Sequence, residues 1–388
     1  MKKISKAAFV LLMCSFLFSF SAVAEEKAGD DKTGHIDRIG EQLKEKILPE
    51  SWANRVSFSG AVEAEAVYEK KDSADPDAEE EDSSDLALSK AELGIDIDIA
   101  KHVRGNVLFL YEDDEDVVVD EGFVLLDGGD VVPLYLKVGK IYVPFGRFES
   151  NMISDPLTLE LGETRESAAE IGFAAGGFYA AAYVFNGDVD KDGDDSHMDN
   201  YGAALGYSLE KDVFSMDVGV GYINSLIDSN GWEDVLEEEI ASAETMGLAF
   251  SFRDYVPGFV AYSIFNFGPL RIIGEYMTML DEPEWNLSEL VPGALAAVEM
   301  GAVFKGEKTS AWNAEIGCTF EIIGKETTLG LAWQGTENGE EFFPENRYMG
   351  LVSVGILEKT SLGLEYRHDE FENEDEADVL TAQLAVEF

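Results

Sequence analysis

Cysteine is nearly absent from this 388-residue chain; Cys14 and Cys318 are the two. Cys14 lies in a leader that export would remove, so Cys318 is left alone and no intrachain disulfide can form. Basic residues are also scarce: 28 Lys and Arg stand against 78 Asp and Glu, a formal net charge of −50. A chain this acidic cannot neutralise phosphates, which excludes nucleic acid as a partner. It equally excludes basic docking onto anionic lipid. Histidine is limited to His35, His102, His197 and His368, and none lies in a hydrolase or zinc motif. No G-x-S-x-G elbow is present, so no nucleophile and base are singled out for a catalytic barrel. After the leader, no apolar run reaches the ~18 residues expected of a membrane-spanning helix.

The leader itself is short. Lys2, Lys3 and Lys6 make a positive start, residues 7–20 are apolar, and Ala22-Val23-Ala24 supplies the small residues of a cleavage site. Residues 1–24 therefore form a signal peptide, with the mature chain expected to begin at Glu25. The signal takes three basic residues from the 28 and no acid from the 78. That leaves 25 against 78, a balance of −53. Residues 25–55 form a periplasmic leader. Within it Ile36, Ile39, Leu43 and Ile47 follow a helical spacing that Pro49 ends, which predicts a short helix.

From Val56 to Phe388 the texture is that of strands. Phe214, Met216, Val218, Val220 and Tyr222 share one face, with Ser215, Asp217, Gly219 and Gly221 on the other. Trp312, Ala314, Ile316, Cys318 and Phe320 alternate with Asn313, Glu315, Gly317 and Thr319. Leu362, Leu364 and Tyr366 alternate with Gly363, Glu365 and Arg367. The apolar face carries aromatics near strand ends, such as Tyr68, Tyr111, Tyr222 and Trp333, as an interfacial girdle requires. Small and charged residues fill the second face, as a wet lumen would. Short turns alternate with long acidic connections at 69–85, 143–166, 187–200, 225–253 and 339–346. A lipid-exposed sheet has to close on itself. The prediction is an all-β, transmembrane antiparallel β-barrel of sixteen strands over 56–388. Residues 245–252 and 296–304 are candidates for two more, and either number leaves an aqueous channel. The last strand ends on Phe388, in the manner of the assembly signal of bacterial outer-membrane proteins.

Three segments could carry function. The connection 143–166 is the third outer loop in this count. Its Arg147 and Arg165 sit among Glu149, Asp155, Glu160 and Glu163, a set that could frame a charged pore constriction. The alternative is a solvated loop with local ion pairs, worth little. In the fourth outer loop, Asp188, Asp190 and Asp192 followed by Gly193, with Asp199 at position twelve, match the start of a calcium loop. Asp stands where a bidentate Glu is usual, and in so acidic a chain chance is the competing explanation. In the fifth loop, 230–244 reads as a helix with Trp232, Val235, Leu236 and Ile240 on one face and Asn230 as its cap. It either packs on the rim or docks a ligand or subunit.

The stretch 137–146, KVGKIYVPFG, followed by FESNMISDPLTLELGET at 148–164, resembles the legiobactin-type siderophore porins. The opening FSGAVE at 58–63 and SAWN at 310–313 are similar as well. That resemblance implies an outer-membrane barrel for ferric siderophore uptake, without the plug domain of TonB-dependent receptors. The residues by themselves point to a passive channel for small solutes seated in outer-membrane lipid. A general cation-preferring porin, or a structural or adhesive barrel whose loops bind calcium, are the other readings. A homotrimer is one candidate assembly, by analogy of fold alone. No cofactor is required, with calcium the one candidate.

Overall fold

A computed structural model describes residues 54–75, 81–113, 115–187, 189, 198–233, 235, 245, 248–289, 303–339 and 342–388. The signal peptide and leader helix expected from the sequence lie outside these residues.

The strands in chain order are β1 (Val56–Asp72), β2 (Glu81–Ala100), β3 (Val103–Glu112), β4 (Val118–Asp127), β5 (Leu134–Tyr142), β6 (Arg165–Ala175), β7 (Phe178–Phe185), β8 (Asn200–Lys211), β9 (Phe214–Ile223) and β10 (Leu248–Phe252). They continue with β11 (Gly258–Phe267), β12 (Leu270–Met279), β13 (Glu284–Glu289), β14 (Val303–Lys305), β15 (Ser310–Ile322), β16 (Lys325–Glu337), β17 (Asn346–Leu357), β18 (Thr360–Glu370) and β19 (Glu376–Glu387). One short helix, α1 (Leu157–Gly162), interrupts the series between β5 and β6.

Sixteen of these strands form a closed antiparallel barrel in which β1 pairs with both β2 and β19. The closing seam runs from Ala61↔Glu387 to Asp72↔Glu376. At its end Phe388 exchanges two backbone hydrogen bonds with Gly60, at 3.0 and 3.2 Å. The chain's last residue thus completes the ladder, which removes both sheet edges. Of the two further strands anticipated at 245–252 and 296–304, the described parts do not join the wall, and residues 296–302 lie outside the described residues. β10 forms within the first stretch and β14 overlaps the end of the second. With β13 they make a separate three-stranded sheet between the fifth and sixth loops. The first loop is also shorter than its acidic composition implied. β1 and β2 extend through it, with Lys71 opposite Glu81, because cross-strand Lys and Glu pairs support strand where acid alone would not.

Alternation decides what faces where. Ile316, Leu331 and Leu364 are 44%, 64% and 50% exposed on the outer surface. The adjacent Glu315, Ala332 and Glu365 are buried, at 4%, 8% and 1%. An apolar exterior on a closed sheet is the arrangement that bilayer burial demands. No helix among the described residues is long and apolar enough to cross a membrane; crossing is by strands. One rim carries tight connections such as Gly176-Gly177, both at positive φ (62° and 86°), as a two-residue hairpin turn requires. The other rim carries the remaining eight connections, the long ones among them. The third of these, 143–164, holds α1.

Candidate functional site: a loop strapped across the bore

Two leucines begin the site. Leu157 and Leu161, four apart on α1, share one helical face and are 0% and 1% exposed. They pack with Ile141, Phe145, Ile223, Leu226, Ile227 and Met277 in an apolar core. Burying each leucine contributes about 2 kcal/mol. That core joins the third loop to β9, β12 and the fifth loop, so the third loop sits inside the barrel and fills one side of it.

The wall also holds the loop through backbone and hydroxyl donors. Glu275 on β12 accepts from the N–H groups of Arg147 at 2.8 Å and Phe148 at 3.1 Å. Glu315 on β15 accepts from the Asn151 N–H at 2.6 Å and the Ser150 hydroxyl at 2.7 Å. Glu365 on β18 accepts from the Ile153 N–H and the Ser154 hydroxyl, each at 2.6 Å. The chain then turns back. Gln334 on β16 accepts from the Leu157 N–H at 3.0 Å, and the Thr158 hydroxyl returns to Glu275 at 3.0 Å.

Among the six residues singled out for a constriction, the structure brings together Asp155, Glu163 and Arg165. They line a cavity of about 850 Å³ with Lys90, Glu92, Glu112 and Asp120. Its lining carries eight carboxylates and three basic groups. Lys90 is bonded to Glu92 at 2.5 Å, and the Arg165 guanidinium to Asp120. Tyr142 donates to the same Asp120 carboxylate at 3.0 Å. Burial pushes the Glu163 carboxyl up to about 7, with the nearby Asp155 and Asp120 charges adding to the effect. Asp155 is raised too, chiefly by burial, against the pull of Lys90.

The other three do not line this cavity, although Arg147 and Glu149 approach each other at 3.9 Å. Arg147 bonds Asp217 on β9 at 2.8 Å. Glu149 is bonded to Arg271 on β12. Glu160 meets Arg347 on β17 at 2.8 Å, and Arg347 also bonds Asp369 at 2.8 Å. Each arginine of this group is therefore neutralised by a carboxylate beside it. The positive groups do not form a row facing the negative ones.

Sequence reasoning passed over the wall partners Glu275, Glu315, Gln334, Glu365, Asp120, Asp217 and Arg347. Asp217, Glu315 and Glu365 were visible as members of polar faces, but nothing local marks them as anchors. In the calcium candidate, Asp188, Asp190 and Asp192 lie outside the described residues. Asp199 is described, and its carboxylate accepts from the Tyr255 hydroxyl at 2.7 Å. Among the described residues no group of three or more His, Cys, Asp or Glu is placed to hold a metal ion. Of the helix expected over 230–244, residues 230–233 are helical, and Leu236 and Ile240 lie outside the described residues. Asn230 is not the cap: Glu233 bonds back to the Ser229 carbonyl, while the Asn230 side chain accepts from the Arg165 N–H at 3.0 Å. The Asn230 N–H in turn donates to the Glu163 carbonyl at 2.9 Å, which ties the fifth loop to the third.

Fold and site together define an outer-membrane β-barrel of the porin type, with an inward third loop. No protein-family model matches the chain. It is similar to a UPF0422 protein of Coxiella burnetii, 26% identical over 342 residues, covering 86% of this chain and 68% of that protein. A UPF0422 protein of Legionella pneumophila is 24% identical over 332 residues, covering 81% and 59%; the chain spans less than two thirds of that relative. Among solved structures it is similar to the outer membrane channel DcaP of Acinetobacter baumannii, at 13% identity and a TM-score of 0.55, covering 86% of this chain and 97% of that one. OmpF of Salmonella typhi gives 11% and 0.54, with the same coverages. Pseudomonas putida OprB gives 8% and 0.55, covering 92% and 97%. At such identities the likeness shows the fold.

Proposed function

We propose that this protein is a passive outer-membrane channel that favours cations, and that its path runs beside the third loop along β1 to β6. The observation that carries the reading is the cavity there, with eight carboxylates to three basic groups. Two of the three basic groups, Lys90 and Arg165, are already neutralised by Glu92 and Asp120. Glu63 and Glu65 on β1 continue the acidic lining; the Gln383 amide donates to Glu65 at 2.9 Å. A ring of surplus carboxylates in a narrow, low-dielectric passage raises the local concentration of cations and repels anions.

The resemblance to siderophore porins adds a finer reading, in which ferric chelates are the cargo. The charge of this lining favours a neutral or cationic chelate over an anionic one. Planar-bilayer recording with the mature protein tests both levels. A reversal potential of cation sign in a salt gradient supports the channel, and a reversible block by a ferric siderophore supports the cargo. Anion selectivity would overturn the charge argument.

A further inference from the structure

The third loop lies against the wall because the wall is built to receive it. The bonds to Glu275, Glu315 and Glu365 recur at three-residue steps: 147 and 148, then 150 and 151, then 153 and 154. Each carboxylate collects neighbouring donors, as an anion does in a backbone nest. All three carboxylates are at most 5% exposed. A buried carboxylate without donors would be costly, so the wall and the loop depend on each other.

A second, independent observation lies between those carboxylates. A Cβ added at Gly317 would come within 2.9 Å of the Asn151 amide oxygen, at Gly330 within 2.7 Å of the Met152 methyl, and at Gly363 within 2.8 Å of Ile153. At Gly221 it would overlap the Phe145 carbonyl. The inward glycines of β9, β15, β16 and β18 are thus the space that the loop occupies.

We infer that Glu275, Glu315 and Glu365 are positioning residues that set the bore, by holding 147–154 flat against a track of wall glycines. The inference rests on the channel reading above. Without the carboxylates the loop leaves the wall, and with bulk on the track it is pushed into the open path. The two perturbations therefore act on conductance in opposite directions, which a general loss of barrel stability would not produce.

The test uses single-channel recording on the full mature protein, with folding checked by heat-modifiable migration in detergent. Glu315→Ala with Glu365→Ala should raise conductance about twofold and add flicker, since the strap no longer limits the passage. Gly363→Leu should lower it. A tether then restores the first change. A Cβ at Gly317 would sit 3.0 Å from Asn151 Cγ, which matches the about 3 Å that disulfide bond lengths impose between one Cβ and the other sulfur. Asn151→Cys with Gly317→Cys, in a Cys318→Ser background carrying both alanines, should conduct like wild type when oxidised. Reduction should raise its conductance again. If the wild type conducts and the alanine pair is indistinguishable from it, or if oxidation changes nothing, the strap inference fails and the channel reading stands. If the folded wild type does not conduct, the channel reading fails first.

Discussion

Glu163 offers the sharpest prediction of how the path responds to pH. Its carboxyl, outside the strands and facing the cavity beside Asp155 and Asp120, is pushed up to about 7 by burial and those charges. The site therefore gains a negative charge as pH rises through about 7. A monovalent cation passing about 6 Å from that carboxylate gains roughly 0.7 kcal/mol at the dielectric of water, more between low-dielectric walls. That is a factor of about three in relative permeability. Reversal potentials recorded at about pH 5.5 and about pH 8.5, on either side of this titration, should differ accordingly. The alkaline condition should be the more cation-selective. Glu163→Gln should hold the acidic value throughout. Stability responds with the opposite sign. Because the folded pKa lies above the unfolded value of 4.5, the folded state holds this proton more tightly. Its contribution is present below about 4.5 and is lost as pH rises through about 7. A selectivity profile with no inflection near 7, or one that survives in Glu163→Gln, would refute the reasoning.

Other substitutions probe the supports of the site. Asp120→Ala leaves Arg165 without its carboxylate and Tyr142 without its acceptor. With Asp120 3% exposed and Arg165 about a quarter exposed, the loss should be roughly 3 kcal/mol. Urea unfolding in lipid vesicles checks it, and an unchanged midpoint would contradict it. Arg347→Met strands Glu160 and leaves Asp369 with Arg367 at 3.1 Å as its remaining ion-pair partner, so it should destabilise the barrel by about 3 kcal/mol and raise cation selectivity in bilayers. Deleting Phe388 removes both backbone bonds to Gly60 and its contact with the Ala91 and Leu93 cluster. Folding yield into vesicles should fall, and an unaltered yield would show that the seam closes without it.

The barrel was readable from the sequence because each strand states its own period. Leu362, Leu364 and Tyr366 against Gly363, Glu365 and Arg367 need no distant information to say which face is which, and the strand that carries them is one of the sixteen in the wall. Segments 245–252 and 296–304 were ambiguous for a physical reason. A short strand in a loop sheet has the same local pattern as one in the wall, and only pairing separates them. The inward third loop was readable in outline, from its length and its place after the fifth strand. Its anchors were not. Glu275 meets Phe148 across 127 residues, and Glu365 meets Ile153 across 212. Glu315 carries no local mark to separate it from a solvated lumen carboxylate. The one hint was the run of glycines on the inner faces, readable as general smallness and in fact a fitted track. The expected opposition of arginines and acids across a constriction also depended on partners in other strands, Asp120, Asp217 and Asp369 among them.

The central claim is that this acidic barrel conducts and prefers cations. The most direct measurement is single-channel recording of the mature protein in a planar bilayer, with the reversal potential read across a salt gradient. The account predicts discrete open channels that reverse on the cation side. A folded barrel that carries no current, or one that reverses on the anion side, would contradict it.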